Sequence, residues 1–145
     1  MPIDYSKGKI YQIIPICEHD AGDIYIGSTV RPLSERMSKH RCQTTCRSRF
    51  LFDKYGMENC KVELIEYFPC ETKEELLKRE GELQRANKCV NIRVAGRTKQ
   101  EYRIENSDKI LERHRIYNAK NKEQIKERSK IYNLKKKAEL QNIKE

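Results

Sequence analysis

The sequence predicts an α+β protein: a small antiparallel sheet flanked by helices, followed by an extended helical arm. Three observations carry that expectation. Residues 1–96 hold 16 basic and 14 acidic side chains, whereas residues 97–145 hold 15 and 8, so nearly all of the net charge of +9 sits in the last third. All six cysteines, all four prolines and all three phenylalanines lie in the first part, which is therefore written as a globular domain, 1–96, with a basic arm, 97–145. The first part also mixes short Ile- and Tyr-rich segments with stretches of helical periodicity, and the second repeats itself at helical spacing.

Lys9–Ile14 and 23–27 read as strands joined by the small and polar residues of Cys17–Gly22, a hairpin loop. Pro32 opens a helix to His40, with Leu33 and Met37 on one face. Arg47–Lys54 reads as a second short helix stopped by Tyr55-Gly56. Residues 60–67 alternate Val62, Leu64 and Glu66 against Lys61, Glu63 and Ile65, a third strand. Thr72-Lys-Glu-Glu75 has the form of a capping box opening a helix to about Asn87.

In the arm, 106–118 matches 121–133 at an offset of 15 residues, pairing Ile110 with Ile125, Arg113 with Arg128 and Tyr117 with Tyr132. Tyr102, Ile110, Tyr117, Ile125, Tyr132 and Leu140 then form a stripe spaced alternately by 8 and 7. That spacing suits one long helix with a slowly drifting seam, about 70 Å at roughly 1.5 Å per residue. Two shorter helices broken at Asn118 and Asn121 are the alternative. One residue of seam is too narrow to hold an isolated helix, so a partner arm, the domain or DNA must cover it, unless the arm is simply a solvated charged helix or a disordered tail.

Composition narrows the partners. A basic excess of this size favours a polyanion, nucleic acid first. No apolar run approaches the roughly 20 residues of a membrane span, and the N-terminus lacks the build of a signal peptide. An intracellular, reducing compartment with free thiols is the expectation.

Four sets of residues carry candidate chemistry. Tyr11 and Tyr25 share one parity of the hairpin, opposite to Ile10, Ile14, Ile24 and Ile26, so both leave the Ile-rich face together, either as packing aromatics or as a functional pair. Arg36 and His40, four apart on a helix, project side by side at the margin between core and solvent. They are either a solvated face or a phosphate donor and a proton carrier. Glu80 falls inside the apolar stripe of Leu76, Leu77 and Leu83, where a carboxylate must be paired, for instance with Arg36 or Lys9, or must hold a metal. Gly81 beside it permits a close approach. His40, Cys42 and Cys46 are near in sequence, but no second pair at zinc spacing follows, and ordinary thiols are the expected reading.

Lys9-Ile10-Tyr11, Tyr25-Ile26-Gly27-Ser28, Arg36 with His40, Arg79-Glu80 and Val90-Asn91-Ile92 together, in that order, resemble the GIY-YIG nucleases. The resemblance covers about residues 8–95 and leaves the arm unmatched; Gly8 is displaced by one position from the family's first motif. It implies a three-stranded antiparallel sheet flanked by helices, and a metal-dependent DNA endonuclease leaving 5′-phosphate and 3′-hydroxyl ends. By that likeness Glu80 holds one Mg²⁺ (or Mn²⁺), Tyr11 is the general base with His40 as proton relay, Tyr25 orients water or phosphate, Arg36 stabilises the phosphoryl oxygens, and Asn91 hydrogen-bonds to substrate or scaffold. Lys9, Arg31, Lys39, Arg113 and Arg128 are candidate DNA contacts, and the arm is a candidate for homodimerisation. The competing reading is a non-catalytic nucleic-acid-binding or assembly protein that uses the arm.

Overall fold

The computed structural model describes residues 3–142, without the side chains of Leu140 and Asn142. It divides into two compact units, 1–97 and 98–145. In the first, β1 (Lys9–Pro15) is the centre of a three-stranded sheet, with β2 (Tyr25–Thr29) on one side and β3 (Cys60–Tyr67) on the other, both antiparallel to it. Three helices complete the unit: α1 (Leu33–Cys42), α2 (Arg49–Tyr55) and α3 (Lys73–Ala86).

The register of the hairpin, Tyr11 opposite Gly27 and Ile13 opposite Tyr25, sends the two tyrosines to the same face. There Tyr11, Ile13 and Tyr25 pack with Met37 of α1, with Leu51 and Phe52 of α2, and with Cys60. The opposite face carries Ile10 and Ile26 against Leu76 of α3. The central strand is thus covered on both sides, and its alternation separates two cores rather than core from solvent. A register shift between Ile10 and Tyr11 on the β3 side shows where the strand-three alternation is interrupted by a bulge.

Boundaries differ from the sequence reading in instructive places. Asp23 and Ile24 precede β2 rather than opening it, because the Asp23 carboxylate is spent on α2: it accepts from Lys54 Nζ at 2.6 Å and Tyr55 Oη at 2.5 Å. Pro32 caps α1 instead of forming its first turn. Thr72 Oγ1 does accept from the Glu75 amide at 3.3 Å, but the Glu75 carboxylate turns to the Glu71 amide at 3.1 Å, so only half of the expected box closes. A reciprocal box forms instead between Thr98 and Glu101, at the start of the arm. A Cβ on Gly81 would lie 2.1 Å from the Ala95 carbonyl oxygen, which is why α3 needs glycine there to meet the 94–95 segment.

The second unit is helical but is neither one rod nor two. It comprises α4 (Lys99–Glu105), α5 (Ser107–Lys120) and α6 (Lys122–Asn142). The breaks fall at Asn106 and Asn121, 15 residues apart and at the same place in the repeat. At each, the asparagine leaves helical geometry (φ −118°, ψ 19° and φ −109°, ψ 18°). Its side-chain amide donates back to the carbonyl of Tyr102 or Tyr117, at 2.9 and 2.8 Å. The repeat therefore encodes a tyrosine and, four residues on, the asparagine that closes its helix. Asn118, inside α5, breaks nothing. Lys136 occupies the third equivalent place and α6 runs through it.

Candidate active site

The site assembles on the tyrosine face of the sheet. Tyr11 is fully buried, and its hydroxyl stands 2.7 Å from His40 Nε2 and accepts from Arg36 Nε at 2.8 Å. Spacing on α1 thus placed Arg36 and His40 together correctly, and both reach one oxygen of the sheet. It did not place His40 correctly: the imidazole is fully buried rather than marginal, because α1 packs its Met37–His40 edge onto Tyr11 and Tyr25. Its second nitrogen, Nδ1, lies 2.8 Å from Ser48 Oγ and 3.4 Å from Cys46 Sγ.

Burial, partly offset by Arg36, pushes the Tyr11 phenol up to about 12, so at neutral pH it keeps its proton. Burial and the neighbouring Tyr11 raise Tyr25 as well. A thiol contact from Cys46 reaches the Tyr25 hydroxyl at 3.7 Å. For Cys46 itself burial works against the thiolate, but hydrogen bonds from His40, Ser48 and Tyr25 outweigh it and bring the thiol down to about 6.

Glu80 is buried on the inner face of α3. Neutral donors hold both carboxylate oxygens: Ser28 Oγ at 2.5 Å on Oε2 and Gln84 Nε2 at 2.8 Å on Oε1. Burial raises its pKa, while Ser28, Gln84 and the more distant charge of Arg36 pull the other way. Neither Arg36 nor Lys9 forms the ion pair that the sequence left open: Arg36 is turned to Tyr11, and Lys9 Nζ donates to the Lys7 carbonyl at 3.2 Å. Glu80 and Tyr25 both line a cleft of about 820 Å³ with Arg47, Phe50 and Arg93. Both also line a second cleft of about 400 Å³ with Gly27, Ser28 and Arg36.

One carboxylate with no cationic partner among the described residues, lining two clefts, suits a divalent ion that takes its remaining ligands from water and phosphate oxygens. It does not suit an all-protein cage: among the described residues, no three His, Cys, Asp or Glu side chains cluster as ligands. Cys42 and Cys46 do not share a helix, because α1 ends at Cys42 and Cys46 lies beyond it.

The hydrogen bond expected of Asn91 is to scaffold. Its Oδ1 accepts from the Ile26 amide at 2.9 Å and its Nδ2 donates to the Ile26 carbonyl at 2.8 Å, while the Val90 amide donates to Ile24. Residues 90–91 thereby extend the free edge of β2, and Asn91 sets the strand that carries Tyr25, Gly27 and Ser28. Arg79 faces away from the site, gripping Glu66 of β3 with two hydrogen bonds. Of the candidate DNA contacts, Arg31 is exposed and paired with Glu35, Lys39 is exposed, and Arg113 and Arg128 are exposed on the helices of the second unit.

Five residues to which the sequence assigned no role in the site complete the arrangement. Gln84 was legible, four residues after Glu80 on one helix face. Ser28 lay within a quoted motif without an assigned role. Ser48 carried no sequence signal, and Cys46 was legible only as a thiol near His40, since only the fold brings the 46–48 turn against α1. Gly27 has a geometric reason: a Cβ there would stand 2.6 Å from the Tyr11 hydroxyl.

No helix among the described residues is long and apolar enough to cross a membrane, and all six cysteines are unbridged. Residues 7–92 match the family model of the GIY-YIG catalytic domain. No curated protein and no solved structure matches the chain. With more than half of its length in that match, with the tyrosine pair, Arg36 and His40 gathered at one face of a three-stranded antiparallel sheet, and with Glu80 of α3 lining the same clefts as Tyr25, the chain belongs to the GIY-YIG nuclease family.

Proposed function

We propose that the protein is a divalent-metal-dependent DNA endonuclease that leaves 5′-phosphate and 3′-hydroxyl ends. The observation that carries this reading is the Tyr11 hydroxyl held between Arg36 and His40, with Glu80 lining a cleft shared with Tyr25 and Arg36 and meeting no cationic partner among the described residues. A carboxylate that raises its own pKa by burial and meets only neutral donors is poised for a cation. Mg²⁺ or Mn²⁺ on Glu80, one per site, would supply Lewis-acid stabilisation of the departing 3′ oxygen.

The remaining work falls to this chain's own residues. Tyr11 is a phenol at rest, so it becomes a base only by passing its proton to His40 Nε2, 2.7 Å away. The phenolate then takes a proton from the attacking water, whose oxygen bonds to phosphorus as the bond from phosphorus to the 3′ oxygen breaks. That oxygen leaves as a hydroxyl with a proton from solvent. Arg36, half-buried and already donating to Tyr11, offers its free guanidinium nitrogens to the phosphoryl oxygens. Tyr25, at the mouth of both clefts, orients the water or the phosphate. The arm, net +7 from 15 basic and 8 acidic residues over 97–145, supplies salt-sensitive affinity that is largely independent of sequence, with Arg113 and Arg128 on phosphates. Lys9, Arg31 and Lys39 add contacts near the site.

The test is supercoiled plasmid incubated with the protein with Mg²⁺, with Mn²⁺ and with EDTA, beside Glu80→Gln. Cleavage by the wild type only where metal is present supports the reading. Equal plasmid integrity in every tube overturns it in favour of a non-catalytic binding protein.

A further inference from the structure

We infer that Ser48 is a positioning residue that acts through His40, fixing which imidazole nitrogen is left free to take the Tyr11 proton. The inference rests on the proton relay proposed above for its catalytic meaning, though not for its structural content.

The hydrogen-bond bookkeeping around Tyr11 is closed. Arg36 Nε can only donate, so it occupies an acceptor site on the phenolic oxygen at 2.8 Å. The phenolic hydrogen then needs an acceptor, and His40 Nε2 stands at 2.7 Å. A neutral imidazole accepting at Nε2 carries its hydrogen on Nδ1. That hydrogen needs an acceptor in turn, and Ser48 Oγ lies at 2.8 Å, closer than Cys46 Sγ at 3.4 Å. Ser48 is itself fully buried, so its hydroxyl is kept from competing water. The result is one directed chain, Arg36 to Tyr11 to His40 to Ser48. Reversing the imidazole would set an Nε2 hydrogen against Tyr11 and deprive it of its proton acceptor.

A second observation is independent of that count. Ser48 occupies the N-cap of α2, where serine ordinarily turns its hydroxyl onto the free amides of the first helical turn. Here it makes no side-chain capping bond. The hydroxyl is withheld from the helix and given to His40. Tyr11 from β1, Tyr25 from β2, and Cys46 and Ser48 from the turn before α2 face the imidazole.

In the relay, the proton leaving Tyr11 forms a bond to Nε2 while Nδ1 keeps its own, and Ser48 Oγ holds the imidazolium in place. An acceptor on Nδ1 stabilises that cation as well as the tautomer that precedes it.

The experiment uses the full chain labelled with ¹⁵N-histidine, with His40 told from His19 and His114 by the signals missing in His40→Gln. Long-range ¹H–¹⁵N spectra are expected to show His40 protonated at Nδ1 and bare at Nε2 in the wild type and in Cys46→Ala. Ser48→Ala is expected to lose that preference, and Ser48→Thr to keep it. In plasmid cleavage, Ser48→Ala should lose about 10- to 100-fold in kcat with little change in KM, and Ser48→Thr should recover most of it. A wild-type His40 protonated at Nε2, or an unaltered tautomer in a folded Ser48→Ala, overturns the inference. The wild-type spectrum alone decides if Ser48→Ala fails to fold. Absence of plasmid cleavage with the expected tautomer refutes the nuclease reading and leaves the Ser48 assignment standing.

Discussion

Ser28 of β2 donates to Glu80 of α3 at 2.5 Å, tying the strand that carries Tyr25 and Gly27 to the helix that carries the carboxylate. This bond, with the one from Gln84, lets a buried carboxylate remain free of lysine and arginine.

Because burial raises the pKa of Glu80 above its ordinary 4.5, the folded protein holds that proton more tightly than the unfolded chain. Stability from this group is therefore present at low pH and falls as pH rises from about 4.5 through the raised value. Thermal melts of Glu80→Gln should lose that decline. At pH 7, Mg²⁺ should raise the melting temperature of the wild type, by about 1.4 kcal/mol of stability at ten times Kd, and leave Glu80→Gln unmoved. Equal stabilisation of both proteins would remove Glu80 as the ligand.

Tyr11→Phe keeps the ring that packs with Ile13, Leu51 and Phe52 and removes only the oxygen. Cleavage should fall by about 10²- to 10⁴-fold. Stability should fall by roughly 1–3 kcal/mol, since His40 Nε2 is left buried without its partner. Retained kcat in a folded Tyr11→Phe protein would exclude the phenol as base.

Gly27→Ala places a methyl 2.6 Å from the Tyr11 hydroxyl and 3.1 Å from Cε1 of Tyr25. The strand has no room to yield, because β2 is paired to β1 and its free edge to Asn91. The tyrosines must move, at about 1–3 kcal/mol. Loss of cleavage greater than the loss of folded protein, read by activity and circular dichroism together, is expected.

Cys46 should be the first thiol to react. Its half-maximal alkylation by iodoacetamide should fall near pH 6, well below that of buried Cys60 or of Cys70, both raised by burial. Peptide mass spectrometry across pH 5–9 reads this directly. Labelling of Cys46 with an ordinary thiol profile would mean that the Ser48 and His40 bonds to sulfur do not persist in solution.

Removing residues 98–145 should weaken DNA binding and flatten its salt dependence, because most of the surplus positive charge goes with them. Binding isotherms between 50 and 200 mM salt measure the slope, and an unchanged slope would free the arm of that role. Asn121→Leu should fuse α5 to α6, raising helical content in circular dichroism.

Much of the site is legible in the sequence alone. Parity alone sent Tyr11 and Tyr25 to one face, since side chains alternate along a strand and the hairpin register preserves the pairing. Spacing of four brought Arg36 and His40 together for the equivalent helical reason, and the apolar stripe around Glu80 marked it as an inward carboxylate. The arm was less legible. Its repeat was visible, but periodicity records which face a residue takes and says little about where a helix stops. That depended on the Asn106 and Asn121 side chains folding back onto Tyr102 and Tyr117.

The sequence by itself determined the sheet, the helices and the faces, because these are local periodicities written within a few residues. Only the tertiary structure decided that His40 is dry, that Glu80 answers to Ser28 rather than to a cation, that Asn91 serves the β2 edge, and that the Ser48 hydroxyl goes to His40. Each of these joins segments separated by 8 to 65 residues. A hydrogen bond is specific to within a few tenths of an ångström, and no pattern along the chain carries distance at that resolution.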